Sequence, residues 1–204
     1  MSIIGLTGST GSLGKTILKF NKINKINCYK NDILNRSAVF DWIKKNKIDI
    51  VIHLAAIVPI KVVNKNKKEA EKVNYIGTKN IVDACIANKV KWFFFSSTSH
   101  VYKQSKNSLN ELSATKPYSF YGKTKLKAEK YIIKNFEKLP NKVKLVLIDM
   151  HYNLGLSKLL GFEKMLDAID QRDFKKAAEE LKRQYDKIKR QSSSGKRNQT
   201  HIKG

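Results

Sequence analysis

Apolar runs and segments with helical spacing alternate along the first two-thirds of the chain. Three short runs have the composition of buried strands: "SIIGLT", "IDIVIHLAA" and "KWFFFSSTS". Segments with helical spacing lie between and after them, from Ser12 onward and over 37–47, 67–89 and 118–136. Because runs that are apolar throughout are typical of strands covered on both faces, the pattern predicts an α/β fold with a parallel sheet.

The last third of the chain carries a different pattern. The run "KVKLVLI" is compatible with a short strand, and equally with a helix that begins at Pro140. Further on, apolar positions follow helical spacing, and Asp173 is placed to cap the second of two helices. The two apolar stripes consist of Leu159, Phe162, Met165, Leu166 and Ile169, and of Phe174, Ala177, Ala178 and Leu181. This part of the chain is therefore predicted to be all-α, with a polar and basic end.

Composition limits the classes of partner. The 204 residues suffice for one domain, or for one domain and a small second one. The formal charge of +24 comes from 41 basic and 17 acidic residues, but only five of the basic residues are Arg. Phosphate forks and base readout favour Arg, so the charge indicates a solvated Lys-rich surface, and no specific nucleic acid is expected as partner.

Cysteine usage and hydropathy indicate the compartment. Cys28 and Cys85 have neither the spacing of a metal site nor that of a disulfide framework, which favours a reducing compartment. No apolar run reaches the length of a membrane span, and the first residues lack the layout of a signal peptide. We therefore expect a cytoplasmic protein with no membrane partner and no metal.

Three glycines follow the first predicted strand. Gly8, Gly11 and Gly14 form a G-x-x-G-x-x-G pattern where a helix begins. Glycine there allows a tight turn and lets a diphosphate approach the backbone amides of the helix N-terminus. A glycine-rich turn without a ligand is the alternative for this motif alone. The parallel sheet favours the ligand, because ligands bind at the carboxyl ends of the strands, where "HLAA" and "SSTS" also fall.

Tyr121 and Lys125 are four residues apart on the last helix of the α/β part, and so lie on one helix face. A free tyrosine ionises near pH ~10, so a tyrosine that moves protons at neutral pH needs a nearby cation, which Lys125 can supply. Thr98, at the end of the preceding strand, can hydrogen-bond a substrate oxygen. A surface Tyr-Lys pair is the alternative, and the glycine pattern and Thr98 in the same chain argue against it.

Residues 1–136 resemble the extended short-chain dehydrogenase/reductase family, which includes NAD(P)-dependent sugar-nucleotide epimerases, dehydratases and reductases. The matching stretches, in family order, are "TGSTGSLG", "NDI", "DIVIHLAA", "VNYIGTKNIVDAC", "FFFSSTSHVY" and "YGKTK". The resemblance implies that the cofactor carries the hydride chemistry and that Thr98, Tyr121 and Lys125 are the catalytic set. Pyrophosphate is expected at residues 11–13, adenine near residues 32–33, and the nicotinamide ribose at Lys125. The implied cofactor-binding residues are Gly8, Thr10, Gly11, Ser12, Leu13, Gly14, Asp32, Ile33, Leu54, Ala55, Ala56, Asn74, which braces the loop at 54–56, Tyr121 and Lys125.

The chain departs from the family pattern in two places. The second and third strands of the family are collapsed into "INCYKNDI", as in the sugar-reductase branch, so the acidic residue expected to bind the ribose hydroxyls is missing. Lys30 favours a 2′-phosphate and thus NADP over NAD, although an exposed lysine without a ligand is the alternative. The strand after the Tyr-Lys helix and the substrate lobe are not recognisable. The predicted fold is an incomplete Rossmann-like parallel sheet with flanking helices over 1–136, followed by an all-α segment over 137–204.

Residues 139–198 resemble the C-terminal helical lobe of phage-type lysozymes, on the stretch "LIDMHYNLG" and the helices after it. In that family this lobe forms one wall of the peptidoglycan cleft, and the catalytic residues belong to the other lobe. A glycosidase needs a carboxylic acid opposite a second carboxylate or a positioned water. The acidic residues here are expected to be ordinary helix charges: Asp149, Glu163, Asp167 and Asp170. The sequence thus predicts two joined pieces.

Three functions follow from these patterns. The first is an NAD(P)-dependent epimerase, dehydratase or reductase with a nucleotide-sugar-like partner, for which cofactor binding is expected ahead of full catalysis. The alternative is a lysozyme-related protein that binds or lyses the cell wall through peptidoglycan. The third is nucleic-acid binding through charge alone. A parallel sheet that ends early exposes an apolar edge, so an oligomeric or poorly soluble product is expected.

Overall fold

The computed structural model describes residues 2–21, 25–58, 60–105, 113–136 and 145–149, together with the isolated positions Lys176 and Glu179. The chain divides into two compact units, and the first comprises Met1–Leu18 and Lys25–Tyr152. All elements of the sheet, and every residue of the candidate site, belong to this first unit.

Strands and helices alternate through the first unit, as the sequence predicts. The 3₁₀ turn Ser99–Val101 follows β4, and the π-helical turn Lys72–Gly77 joins α4 to α5. The elements are β1 (Ile3–Thr7), α1 (Ser12–Phe20), β2 (Lys25–Cys28), α2 (Arg36–Lys45), β3 (Ile50–His53), α3 (Ile60–Lys65), α4 (Lys67–Glu71), α5 (Thr78–Ala87), β4 (Trp92–Ser97), α6 (Phe120–Phe136) and β5 (Leu145–Asp149).

The five strands form one parallel sheet in the order β2-β1-β3-β4-β5. Parallel neighbours need a crossover connection, which the intervening helices supply. β3 is buried along its whole length, which explains its continuous apolar sequence. The predicted Rossmann-like α/β fold is therefore confirmed, and the order reverses on either side of β1, where such sheets bind ligands.

The fifth strand corrects one expectation. Of the two structures compatible with "KVKLVLI", Leu145–Asp149 adopts the strand and pairs in parallel with β4, from Phe93 opposite Leu145 to Ser97 opposite Asp149. The unpaired N–H and C=O groups at the edge of β4 provide the partner that a short apolar run lacks on its own. The sheet therefore continues beyond Phe136, where the sequence placed the end of the first piece, and Asp149 ends a strand rather than lying on a helix.

The main core lies between one face of the sheet and the helices α2, α5 and α6. Phe93 and Phe95 of β4 point to this face, and neither is exposed. The burial of each such aromatic side chain contributes about 1.5–3 kcal/mol to stability. The helices contribute Ile43, Ile81, Val82, Ala128 and Ile132, among others. This packing fixes the start of α6 beside the carboxyl ends of β3 and β4.

Little of the predicted helical segment falls within the described residues. Lys176 and Glu179 are both helical and exposed, in agreement with a helix after Asp173. All residues of the two predicted apolar stripes lie outside the described part. Within the described ranges, no helix combines the length and the apolar character that crossing a membrane requires.

Candidate functional site

The turn between β1 and α1 requires glycine at two of its three glycine positions. Gly8 has a φ of +72°, and a Cβ there would lie 2.7 Å from the backbone N of Ala55. A Cβ on Gly14 would lie 2.4 Å from the carbonyl oxygen of Gly8. Such distances are below van der Waals contact, so a side chain at position 8 would push the turn away from the loop after β3, and one at position 14 would push α1 away from the turn.

Gly11 is different, because the turn itself does not need glycine there. It is exposed, and a Cβ on it would approach nothing closer than the carbonyl oxygen of Gly8, at 3.4 Å. The Gly11 N–H donates to that oxygen at 3.1 Å, and α1 begins at the next residue, the exposed Ser12. The first N–H groups of a helix have no partner within the helix, so the open surface over Gly11 suits an anion. Thr10 is exposed at the same turn, and Leu13 is half-buried.

The loop after β3 runs directly against this turn. Leu54, Ala55 and Ala56 are all half-buried. The hydroxyl oxygen of Thr7, at the end of β1, accepts the backbone N–H groups of Leu54 and Ala55, both at 3.2 Å. The predicted cofactor lining therefore starts beside the glycine turn.

Asn74 in the π-helical turn holds the far end of this loop. Its side chain is fully buried, accepts the N–H of Ile57 at 2.7 Å and donates to the carbonyl of Ile57 at 3.0 Å. The same amide nitrogen donates to the hydroxyl of Thr124 at 3.3 Å, and that hydroxyl donates to the carbonyl of Tyr121 at 2.8 Å. A continuous series of contacts thus runs from the glycine turn, through the loop, to α6.

Thr98, Tyr121 and Lys125 are all buried, at 7%, 8% and 2% exposure. Thr98 follows β4, and its hydroxyl accepts the N–H of His100 at 3.3 Å. The rings of His100 and Tyr121 are 6.1 Å apart, which brings the start of α6 against the end of β4. These three residues therefore sit on elements that meet at the carboxyl edge of the sheet.

The electrostatics of this region centre on Lys125. Burial lowers the pKa of its ammonium from 10.5 to about 7, and the negative charge of Glu129, one helical turn later, opposes the shift. Its Nζ lies over the ring of Phe95. Burial, followed by the positive charge of Lys125, also lowers the pKa of His53 from 6.5 to about 3. The site thus holds a neutral imidazole beside an amine whose charge depends on what binds next to it.

Two predicted residues follow β2, whose carboxyl end lies beside that of β1. The side chain of Asp32 is exposed there, and its carboxylate accepts the N–H of Leu34 at 2.9 Å. Ile33 is 6% exposed and packs in the main core, so its side chain is not part of an open surface. Lys30 is exposed, as a residue that meets a 2′-phosphate must be.

Several buried polar residues that connect these parts were not predicted from the sequence. Thr7, His53 and Thr78 form a hydrogen-bonded series, and Ser97 donates to the buried carboxylate of Glu129. The available signal was a polar residue at the end of each apolar run, as in "GLT" and "VIH". Their partners are 25 or more residues away, so spacing alone did not reveal them.

A glycine turn after the first strand of a parallel sheet, together with a Tyr-x-x-x-Lys pair on a later helix, is typical of short-chain dehydrogenase/reductase-like proteins. The chain belongs to the RmlD substrate binding domain family, whose model matches residues 1–141. Its relatives include sugar-nucleotide dehydratases, epimerases and reductases.

Three relatives illustrate the match. The dTDP-D-glucose 4,6-dehydratase of Dictyostelium discoideum is 33% identical over 106 residues, which cover 45% of this chain and 24% of that protein. The structure of dTDP-4-dehydrorhamnose reductase from Bacillus anthracis in complex with NADP is 25% identical, with a TM-score of 0.65, covering 80% of this chain and 61% of that one. UDP-glucose 4-epimerase from Brucella ovis in complex with NAD is 21% identical, with a TM-score of 0.64, covering 71% of this chain and 51% of that one, a likeness of fold.

The match covers only part of these relatives. The chain spans about a quarter of the length of the curated relatives it matches. The relatives give no support to the lysozyme resemblance of residues 139–198, which, like the predicted fusion, stays a prediction. Most of the residues that carry that resemblance lie outside the described ranges.

Proposed function

We propose that the chain binds NAD or NADP across the carboxyl edge of its sheet and uses Thr98, Tyr121 and Lys125 in proton transfer to or from a nucleotide sugar. The observation that carries this proposal is the series of contacts from Gly8, through Ala55 and Ile57, to Asn74 and α6. This series connects the glycine turn, which is suited to bind an anion, with the helix that carries Tyr121 and Lys125.

The residues present fit a dinucleotide. The surface over Gly11 is open because the position lacks a Cβ, and α1 begins at the next residue. The first N–H groups of a helix have no partner within the helix, which suits a diphosphate. At the other end, Lys125 is buried, and its amine can donate to ribose hydroxyls. Because burial lowers its pKa, the oxygen atoms of a bound ligand would favour its charged form. The half-buried loop at residues 54–56 lines the path between them.

Each residue of the set has a distinct role in this proposal. The cofactor, when bound, supplies or accepts the hydride. The hydroxyl of Tyr121 gives its proton to the substrate oxygen, or, as phenolate, takes the proton from a substrate hydroxyl. Lys125, four residues later on the same helix face, stabilises the phenolate by its charge. Thr98 holds the same substrate oxygen by a hydrogen bond from its hydroxyl.

A preference for NADP is part of the proposal. Lys30 is exposed just after β2, and the nearby carboxylate of Asp32 is occupied by the N–H of Leu34. A lysine attracts a 2′-phosphate, whereas the ribose hydroxyls of NAD are normally held by an acidic residue in this region. A Lys30→Glu variant should therefore lose affinity for NADPH and keep its affinity for NADH.

The nucleotide-sugar substrate rests on the family. Relatives are named as acting on dTDP-linked and UDP-linked sugars, and as dehydratases, epimerases or reductases. We infer a substrate of this class for the chain.

Titration of the protein with NADPH and with NADH tests the proposal, with the emission of Trp42 and Trp92 as the signal. Saturable binding of at least one nucleotide is expected, and Gly11→Val should abolish it because the added side chain occupies the surface over the turn. Leu18→Val, at an exposed position of α1, the helix that follows Gly11, serves as the matched control and should bind as the wild type does. Absence of binding of either nucleotide to the wild type would contradict the proposal.

A further inference from the structure

A buried histidine, His53, connects Thr7 with the helical turn of Asn74, and these two residues hold the two ends of the loop after β3. The Nδ1 of His53 lies 2.6 Å from the hydroxyl oxygen of Thr7, and its Nε2 lies 2.9 Å from the hydroxyl oxygen of Thr78. His53 is 1% exposed, and both threonines are equally buried, at 0% and 1%. The Thr78 hydroxyl also lies 2.8 Å from the carbonyl oxygen of Asn74.

The hydrogen bonds fix the tautomer of His53. A hydroxyl has one proton to donate and two lone pairs that accept. The Thr7 hydroxyl accepts two backbone N–H groups, from Leu54 and Ala55, so its proton must go to Nδ1 of His53. A neutral imidazole then carries its proton on Nε2, which donates to Thr78, and the Thr78 hydroxyl donates to the Asn74 carbonyl.

The other protonation states leave groups unsatisfied. With the proton on Nδ1, the Thr7 oxygen would face three N–H donors, those of Leu54, Ala55 and His53. The Thr78 hydroxyl would then have one proton for two acceptors, the Nε2 of His53 and the carbonyl oxygen of Asn74. An imidazolium also carries a proton on Nδ1, so the Thr7 oxygen would again face three donors. The charged group facing His53 is Lys125, whose cation disfavours a second positive charge, and burial acts in the same direction. One uncharged form therefore satisfies every polar group in the series.

The two ends of the series hold the same loop. Thr7 holds the N–H groups of Leu54 and Ala55, and Asn74 holds both backbone groups of Ile57. His53 is the connection between Thr7 on β1 and the helical turn that carries Asn74. We propose that His53, fixed as its neutral Nε2–H tautomer, is a positioning residue that sets the conformation of the loop at residues 54–57 for the dinucleotide. The role in binding rests on the proposed function, whereas the tautomer and the loop order do not.

Nitrogen NMR of the 204-residue chain labelled at histidine tests the tautomer directly. His53→Phe identifies the His53 signals among those of the four histidines. The expected result is an unprotonated Nδ1 and a protonated Nε2, unchanged between about pH 5 and 8, where an ordinary histidine titrates. A proton on Nδ1, or titration within that range, would overturn the proposal.

Hydrogen exchange of the amides of Leu54, Ala55 and Ile57 tests the positioning role. In His53→Phe we expect these amides to exchange about tenfold faster, as the loss of roughly one buried hydrogen bond implies. His53→Asn keeps the acceptor for Thr7 and His53→Gln keeps the donor for Thr78, so each should restore protection at its own end of the loop. The matched control is Cys85→Ala, a fully buried change on α5 outside the series, which should leave the protection of these amides unchanged. Loop protection equal in His53→Phe and wild type would overturn the proposal.

The affinity for NADPH tests whether the hydrogen-bonded series through His53 contributes to cofactor binding. His53→Phe should bind NADPH about tenfold more weakly than the wild type, with Cys85→Ala within about twofold, because the lost loop order must be restored on binding. If the wild type binds no nucleotide, the proposed function fails, and the tautomer and exchange measurements still decide the role of His53. Wild-type affinity in His53→Phe, with the loop amides deprotected, would exclude a role in binding.

Discussion

The Nζ of Lys125 lies 3.9 Å from the centre of the Phe95 ring, and the residue is 2% exposed. The face of an aromatic ring attracts a cation, whereas removal from water disfavours it. Burial has the larger effect, since the pKa of Lys125 falls to about 7. Near neutral pH the amine is therefore partly uncharged, and a ligand that offers oxygen acceptors will recharge it.

The stability of the protein should depend on pH through Lys125. The unfolded chain keeps the Lys125 proton up to its usual pKa of 10.5, and the folded chain releases it near pH 7. Between these values the unfolded state binds more protons, so the free energy of unfolding rises with pH. Urea unfolding of wild type and Lys125→Met from about pH 6 to pH 9 should show the wild type gaining stability relative to the variant. Parallel curves for the two proteins would show that Lys125 is solvated.

Through His53, the free energy of unfolding should also depend on pH below about pH 7. Its pKa is lowered from 6.5 to about 3 in the folded state, so between these values the unfolded state binds the extra proton. Stability is then lost as the pH falls through this range, and His53→Phe should remove that part of the slope. The measurement is the unfolding midpoint in urea at several pH values from about 7 down to about 4. An unchanged slope in the variant would assign the acid sensitivity to the carboxylates.

Gly11 and Gly14 should respond differently to alanine. A Cβ on Gly14 meets the Gly8 carbonyl at 2.4 Å, so Gly14→Ala should destabilise the fold by about 1–3 kcal/mol, as overpacking does. A Cβ on Gly11 has ordinary contact distances, so Gly11→Ala should change stability by less than about 1 kcal/mol. Thermal unfolding of the two variants beside wild type decides this. Equal losses would mean that the turn needs glycine at both positions for packing.

Local patterns in the sequence predicted a large part of the fold and of the site. The glycine turn, the parallel sheet and the adjacency of Tyr121 and Lys125 each follow from spacing within one or two elements, and the structure has all three. The roles of Thr98, Tyr121 and Lys125 remain a proposal.

Features that depend on distant residues were not predicted. β5 pairs with the edge of β4, and its run of four apolar residues is compatible in sequence with a strand or a helix and does not show this partner. The series through His53 joins residues up to 46 positions apart. Ile33, which the family resemblance places near the adenine, packs its side chain in the main core, and the sequence pattern did not show this packing.

The pair Ser97 and Glu129 should matter for stability. The Ser97 hydroxyl donates to the Glu129 carboxylate, and both residues are buried, at 5% and 8% exposure. Ser97→Ala removes a donor from a buried charge, so a loss of about 1.5–3 kcal/mol in the free energy of unfolding is expected. Ser96→Ala, the neighbouring position with its side chain on the other face of β4, is the control and should lose less than about 0.5 kcal/mol. Equal effects of the two changes would show that the hydrogen bond contributes little.

The central claim is that one dinucleotide contacts both the glycine turn and Lys125. ADP carries the adenosine and the diphosphate of the cofactor but lacks the nicotinamide ribose. The decisive measurement is the affinity of wild type, Gly11→Val and Lys125→Met for NADPH and for ADP, by calorimetric titration. We expect Gly11→Val to abolish the binding of both ligands, and Lys125→Met to weaken the binding of NADPH by about tenfold or more without changing that of ADP. If Lys125→Met binds NADPH as tightly as the wild type does, the turn and the Tyr-Lys helix do not share a ligand.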